Sequence, residues 1–268
     1  MPDGSTQILG VGIDGNLYHE IHYPNGTHSG FHNLPGVGAT HFNSSSVAIA
    51  GLRDGTSQVV AVGNNGLVYW NGRYTNGAWT GWRQITSASQ TGTGPIKVAI
   101  AALPDGSTQV FFLCKYGSTF MTRSSSGAWS GMRSMGDLTS KHAEQLAAAG
   151  MPDGSTQLLI LQGEEVYHEV FKLTGNTKTE SGFAPMGVPY INVTDVSITA
   201  MMAPHQSGQS QIAISTSGFV YHNVRNNDGH WKGFNSLAKV PGNNINDTRE
   251  VAIAGRANGT VEVLGTAG

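Results

Sequence analysis

Short apolar runs separated by glycine-rich polar turns make up nearly the whole chain. The clearest stretch is "SVAIAGLRDGTSQVVAVGNNGLVYWNGRYTNGAWTGWRQI", Ser46 to Ile85. "VAIAG" carries no charge and has the length of a strand buried on both faces. "RDG" is a turn signal, with glycine supplying the positive φ. "SQVVAVG" is a second, β-branched strand, and "NNG" a tight hairpin turn. "LVYWNGR" gives a third strand, "TNGA" another turn, and "WTGWRQI" a fourth strand broken by Gly81. The stretch therefore predicts a four-stranded antiparallel meander, buried at its first strand and more polar toward its last. No helical periodicity runs along the chain. "LAAAG", ending at Gly150, is read as a first strand despite its helix-forming letters.

The same grammar recurs. "MPDGSTQ" at Met1 to Gln7 returns letter for letter at Met151 to Gln157, with "LRDGTSQ" and "LPDGSTQ" between. The aligned glutamines are Gln7, Gln58, Gln109, Gln157 and Gln211, and Glu262 stands at a further copy, so the period is close to 51 residues. Self-similarity at that period marks a repeat architecture. Four antiparallel strands per repeat is a propeller blade. The expectation is an all-β propeller, one domain over 1–268, with five repeats. Val251 to Gly255 would supply the first strand that the opening repeat lacks, and 260–268 would be a surplus strand, free to exchange with another molecule in a homo-oligomer. The alternative is part of a larger, seven-bladed type of ring.

Composition narrows the function. Charged residues are 12%, glycines number 37, and the formal net charge is −2. Fifteen Lys plus Arg against seventeen Asp plus Glu supply no phosphate-neutralising surface, so nucleic acid is not an expected partner. No apolar run is long enough to span a membrane. The first residues are already repeat sequence, so no signal peptide is expected and localisation stays undecided. The single cysteine, Cys114, is read as a small buried strand residue. The ten histidines are read as scattered along the repeats without paired ligands at short spacing, so neither a metal nor another cofactor is expected.

The Asp and Gly of "PDGSTQ" are explained by the turn. Its glutamine could satisfy backbone groups between blades. The likeness to the sialidase Asp box is superficial, because the tryptophan that follows there is missing here. Distinctive polar and aromatic residues instead concentrate at the third and fourth strands. They are Tyr18, His19 and Glu20 in the first repeat, and Tyr69, Trp70, Arg73, Trp79 and Trp82 in the second. The fourth has Tyr167, His168 and Glu169, and the fifth Tyr221, His222, Asn223, Arg225 and Trp231. The third keeps Trp129 but reads "TFMT", so its site is expected to be weak or lost. Such residues suit a sugar, which needs an aromatic face for its C–H side and fixed donors and acceptors for its hydroxyls. Tyr and His are adjacent in the strand and cannot both face one pocket. Trp82, with Met132 and Phe234 at its place, is read as packing, since the position interchanges apolar types.

These units, "VAIAGL.DGSTQVVAVG" followed by "VYH" and "NGAWSG", resemble the bacterial β-propeller lectins typified by the fucose-binding lectin of Photorhabdus luminescens, over essentially the whole chain. The resemblance implies sugar pockets between blades for fucose or its methylated relatives, glycans or glycoconjugates as partners, and no enzymatic activity. Recurrence of the candidate residues points the same way: several weak, equivalent sites gain avidity on a clustered surface. A protein-binding scaffold is the alternative. A glycan hydrolase is less favoured, because no carboxylate pair or nucleophile elbow stands out.

Overall fold

The computed structural model describes residues 1–34, 41–87, 95–114, 117–136, 143–188, 192–201, 208–216, 219–237 and 248–267. Every regular element among them is a strand, and none is a helix long and apolar enough to cross a membrane. The chain forms two compact units, Met1–Lys141 and His142–Gly268.

In the first unit, β1 (Thr6–Val11), β2 (Leu17–His22) and β3 (His32–Leu34) form a three-stranded sheet. β4 (Phe42–Gly51), β5 (Ser57–Gly63), β6 (Val68–Arg73) and β7 (Arg83–Gln84) form the second sheet. β8 (Pro95–Ala102), β9 (Thr108–Cys114), β10 (Gly117–Arg123) and β11 (Arg133–Ser134) form the third. In the second unit, β12 (Ala143–Gly150), β13 (Thr156–Gln162), β14 (Glu165–Thr174), β15 (Thr177–Glu180) and β16 (Ala184–Pro185) make one sheet. β17 (Val193–Ala200), β18 (Ser210–Thr216), β19 (Phe219–Arg225) and β20 (Asn235–Ser236) make the next. β21 (Thr248–Gly255) pairs with β22 (Val261–Ala267). All pairings among the described residues are antiparallel and, apart from β14 with β16, join neighbours in sequence, which is the predicted meander; "LAAAG" lies in strand β12. Val251 to Gly255, expected as the missing strand of the first sheet, lie in β21, whose partner is the tail strand β22.

One expectation is corrected. In the four sheets with all of their strands, β4–β7, β8–β11, β12–β16 and β17–β20, the most buried strand is the second, not the first: every residue of β5 and β18 is buried, while β8, β12 and β17 each carry exposed and half-buried positions. The second strand is central, hydrogen-bonded on both sides and covered on both faces. The first is a sheet edge. Edge groups are satisfied in a specific way at β21, where the Val251, Ile253 and Gly255 amides donate to Asp195, Ser197 and Thr199 side chains of β17 at 2.9, 3.1 and 2.9 Å.

Cores lie between consecutive sheets. Leu17 and Leu34 meet Phe42, Ala61 and Tyr69; Val60, Val68 and Trp70 meet Val98, Ile100, Val110 and Phe112; Leu159 and Leu161 meet Val196, Ile212 and Ile214. Trp82 packs on Phe42 at 4.8 Å, while Met132 and Phe234 join the following cores, as expected of packing positions. Cys114, the last residue of β9, is half-buried rather than buried; burial still pushes its thiol pKa up.

Candidate functional site

The repeated heptapeptide sets the geometry. Its aspartate closes the turn: Asp105 Oδ1 accepts from the Ser107 amide at 2.9 Å and its hydroxyl at 2.6 Å, and Asp3, Asp54 and Asp153 do the same with Ser5, Thr56 and Ser155. These side-chain bonds hold all four aspartates in a defined Asx turn. The residue before the glutamine then reaches back one blade. Ser57 Oγ donates to Gln7 Oε1 at 2.9 Å, Thr108 Oγ1 to Gln58 Oε1 at 3.0 Å, and Ser210 Oγ to Gln157 Oε1 at 2.6 Å. The same glutamine oxygen holds an aromatic ring of its own blade's third strand. The partners are His19 Nε2 at 2.9 Å, Trp70 Nε1 at 2.9 Å and His168 Nε2 at 3.1 Å; His222 meets Gln211 at 2.6 Å. The glutamine thus serves side chains of two blades, where the sequence suggests backbone groups.

Three of these rings, His19, Trp70 and His168, face a tryptophan of the following blade edge-on. His19 lies 5.2 Å from Trp79 at 85°, Trp70 lies 6.2 Å from Trp129 at 82°, and His168 lies 5.2 Å from Trp231 at 85°. Each tryptophan in turn bridges by its backbone to an arginine at the end of its own third strand: Arg73 with Trp79, Arg123 with Trp129, Arg225 with Trp231. The turn between them carries a glycine with positive φ. A Cβ there would stand 3.3, 2.9 and 3.0 Å from the guanidinium nitrogens of Arg73, Arg123 and Arg225, so Gly77, Gly127 and Gly229 leave the arginine room to lie across its turn.

One site therefore draws a ring from one blade and an Arg–Trp pair from the next, three times among the described residues. Between the second and third sheets this encloses a cavity of about 350 Å³ lined by Trp70, Tyr74, Thr80, Arg83, Arg123 and Trp129 among others. Arg123 lies over the Trp70 ring, 4.5 Å from its centroid. Burial, and then the charge of Arg83, pulls Arg123 below the ordinary guanidinium pKa. His19 and His168 are held down to about 4, by burial first and then by Arg73 and Arg225 respectively, so both are neutral walls at physiological pH.

The tyrosines of the Tyr–His and Tyr–Trp pairs lie on the opposite strand face. Tyr69 is buried in the core against Phe42 at 6.2 Å, and Asn65 Nδ2 donates to its hydroxyl at 2.8 Å. Tyr221 packs in the core of its own unit, and Tyr18 donates to Asp14 at 2.8 Å. Tyr167 sits opposite Pro185 in the ladder. The third blade, expected to be weak or lost, contributes Arg123 and Trp129 to the cavity. The ladder places Phe120, rather than Met121, at the register of Trp70 and His222. Arg123 has a plain sequence signal: the tryptophan stands six positions after the arginine at Arg73 and Trp79, Arg123 and Trp129, and Arg225 and Trp231. In the fourth blade Phe171 and Glu180 stand opposite one another at the Arg and Trp places. In the first they are His22 and His28, which gather with Glu20, so the sequence expectation of no paired metal-ligating side chains is corrected.

Comparison of the sequence with family models and with curated proteins finds no match. Solved structures do resemble the chain. AofleA from Arthrobotrys oligospora superposes with a TM-score of 0.72 at 14% identity, over 99% of this chain and 77% of that one. A lectin from Burkholderia pseudomallei gives 0.65 at 16% identity, over 98% and 78%. The fucose-specific lectin from Aleuria aurantia gives 0.62 at 13% identity, over 100% and 85%. The fold is a β-propeller. At these identities the likeness concerns the fold; the site's chemistry rests on the residues described above.

Proposed function

We propose that this protein is a carbohydrate-binding lectin with several equivalent sites, each formed by an Arg–Trp pair and the ring it faces. The observation that carries the reading is the cavity between Trp70 and Trp129 beneath Arg123, together with the recurrence of its ring and Arg–Trp arrangement at Trp79 with Arg73 and at Trp231 with Arg225. Its volume of about 350 Å³ suits one monosaccharide. An indole face takes the apolar side of a pyranose, and a guanidinium donates to its hydroxyls and ring oxygen. The third-strand histidines and Trp70 build the walls.

Fucose or a methylated relative is the sugar this reading favours. The fucose-specific neighbour shares the fold, and the blade grammar resembles the Photorhabdus-type lectins. The same residue types at three places support binding over catalysis, because a turnover centre needs one asymmetric constellation whereas weak equivalent sites gain from clustering. A glycan array read with the labelled protein, with free L-fucose as competitor, tests this. Fucosylated or methylated hits removed by the competitor are expected. A blank array from folded protein would overturn the lectin reading in favour of a protein-binding scaffold.

A further inference from the structure

The first blade departs from the Arg–Trp pattern, and the departure is ordered. His22 pairs with Thr6 in the ladder as Arg73 pairs with Ser57, and His28 bridges His22 as Trp79 bridges Arg73. Two residues before His22, on the same face of β2, stands Glu20. Glu20 Oε2 lies 3.6 Å from His22 Nε2, and Glu20 Oε1 lies 3.5 Å from His28 Nδ1. One ligand atom from each of the three side chains lies within 4.8 Å of the other two.

These separations fit ligation of one metal ion. A carboxylate hydrogen-bonded to imidazole stands about 2.7–3.0 Å away. Two ligands bonded at about 2.0–2.2 Å to one tetrahedral metal stand about 3.3–3.5 Å apart. Each carboxylate oxygen stands from one ring nitrogen at close to the spacing of fellow ligands, Oε2 from His22 and Oε1 from His28. The two rings lie edge to face, 5.0 Å apart at 72°.

The backbone holds the three in place. Tyr23 N donates to Thr27 O at 2.8 Å and Gly26 N to Tyr23 O at 3.0 Å, closing the turn between the histidines. Asn25 Oδ1 accepts from the Thr27 amide at 3.0 Å and hydroxyl at 2.7 Å, and the Ile21 amide donates to Ser29 Oγ at 2.9 Å. Exposure is graded. Glu20 is buried, and the side chains of His22 and His28 are 21% and 61% exposed. A metal there has a fixed inner ligand and an outer position open to water or an external donor. Two imidazoles and one carboxylate suit zinc and its neighbours better than calcium or magnesium, which take all-oxygen shells.

We propose that Glu20, His22 and His28 form a site for one divalent transition-metal ion, with zinc as the ion of choice. It is independent of the glycan reading. Tag-free, chelator-stripped full-length protein is titrated with Zn²⁺ alone against a chromophoric chelator, and with Co²⁺ followed by its visible absorption. One equivalent is expected to bind, with an absorption of the intensity given by low-coordinate cobalt. His28→Ala, in an exposed turn, should weaken binding tenfold or more and leave thermal unfolding of the metal-free protein unchanged. Glu20→Gln should weaken it similarly; if that variant does not fold, His28→Ala decides alone. No stoichiometric uptake, or uptake of equal strength in the variants, overturns the proposal.

Discussion

The Thr108 hydroxyl donates to the Gln58 side-chain oxygen at 3.0 Å, joining two sheets through residues fifty positions apart. The same oxygen accepts from Trp70 Nε1 at 2.9 Å. One amide thus fastens neighbouring blades and fixes a wall of the candidate sugar site. A repeat with this heptapeptide aligns each site as it stacks, because the donor and the acceptor are adjacent letters of the same motif.

Gln58→Leu should therefore cost more than its area suggests. It leaves Trp70 Nε1 and Thr108 Oγ1 without their acceptor, and both residues are buried. Two unmet donors cost about 2–4 kcal/mol together. Urea unfolding should show a lower midpoint at unchanged slope. Adding Thr108→Val to Gln58→Leu should cost less than the sum of the two single changes, since the orphaned hydroxyl is then gone. Strict additivity would mean that the contact is not a fastener.

Strands and turns were legible in the sequence because alternation and Asp-Gly or Asn-Gly turns are local. The glutamine's partner was not, since nothing near Gln58 announces Thr108. Nor was the burial order of the strands: "VAIAG" and "SQVVAVG" are both uncharged, and only pairing tells a central strand from an edge. The Arg–Trp pair is legible in its constant step of six positions, but "TFMT" aligned by letters stands one register off the ladder, which hides Arg123. Glu20, His22 and His28 were hidden differently, because two ligands lie on one strand and the third beyond a turn.

Trp129→Ala and Arg123→Ala test the sites one at a time. Each should remove binding at the cavity beside Trp70 and leave the sites at Trp79 and Trp231 intact. Calorimetry with a free monosaccharide should show one site fewer, and a multivalent glycan surface should show a larger loss of apparent affinity than the free sugar, because avidity multiplies over sites. Trp82→Ala, part-buried against Phe42, should lower stability by about 1–3 kcal/mol without altering the number of sites in protein that remains folded. Loss of all binding on changing Trp129 alone would contradict independent sites.

Acid should weaken the fold through His19 and His168. Both are held near 4 in the folded protein against an ordinary 6.5. Between those values the unfolded chain takes up protons that the folded protein refuses, so stability is full above about 6.5 and falls as the pH drops toward 4. Each contributes roughly 1–2 kcal/mol once residual solvent contact is allowed for. His168→Gln, which can still donate to Gln157, should flatten the acid limb of a stability–pH profile by about half. An unchanged limb would show that His168 titrates normally.

Glu169 acts in the opposite direction. Burial, and then the neighbouring Glu180 carboxylate, raises its pKa to about 7 from an ordinary 4.5. Between those values the folded protein holds a proton that the unfolded chain has lost, so this group adds stability as the pH falls from 7 to 4.5 and withdraws it as the pH rises. At pH 8 the folded protein keeps a charged carboxylate next to Glu180 in poorly solvated surroundings. Glu169→Gln should then stabilise by about 1–2 kcal/mol at pH 8, after discounting for solvent screening, and the gain should vanish near pH 4.5. The check is a pair of urea titrations at the two pH values. A gain equal at both would assign the effect to packing, and a loss at pH 8 would mean that the ionised carboxylate is held by Lys178, which already pairs with Glu180 at 2.9 Å.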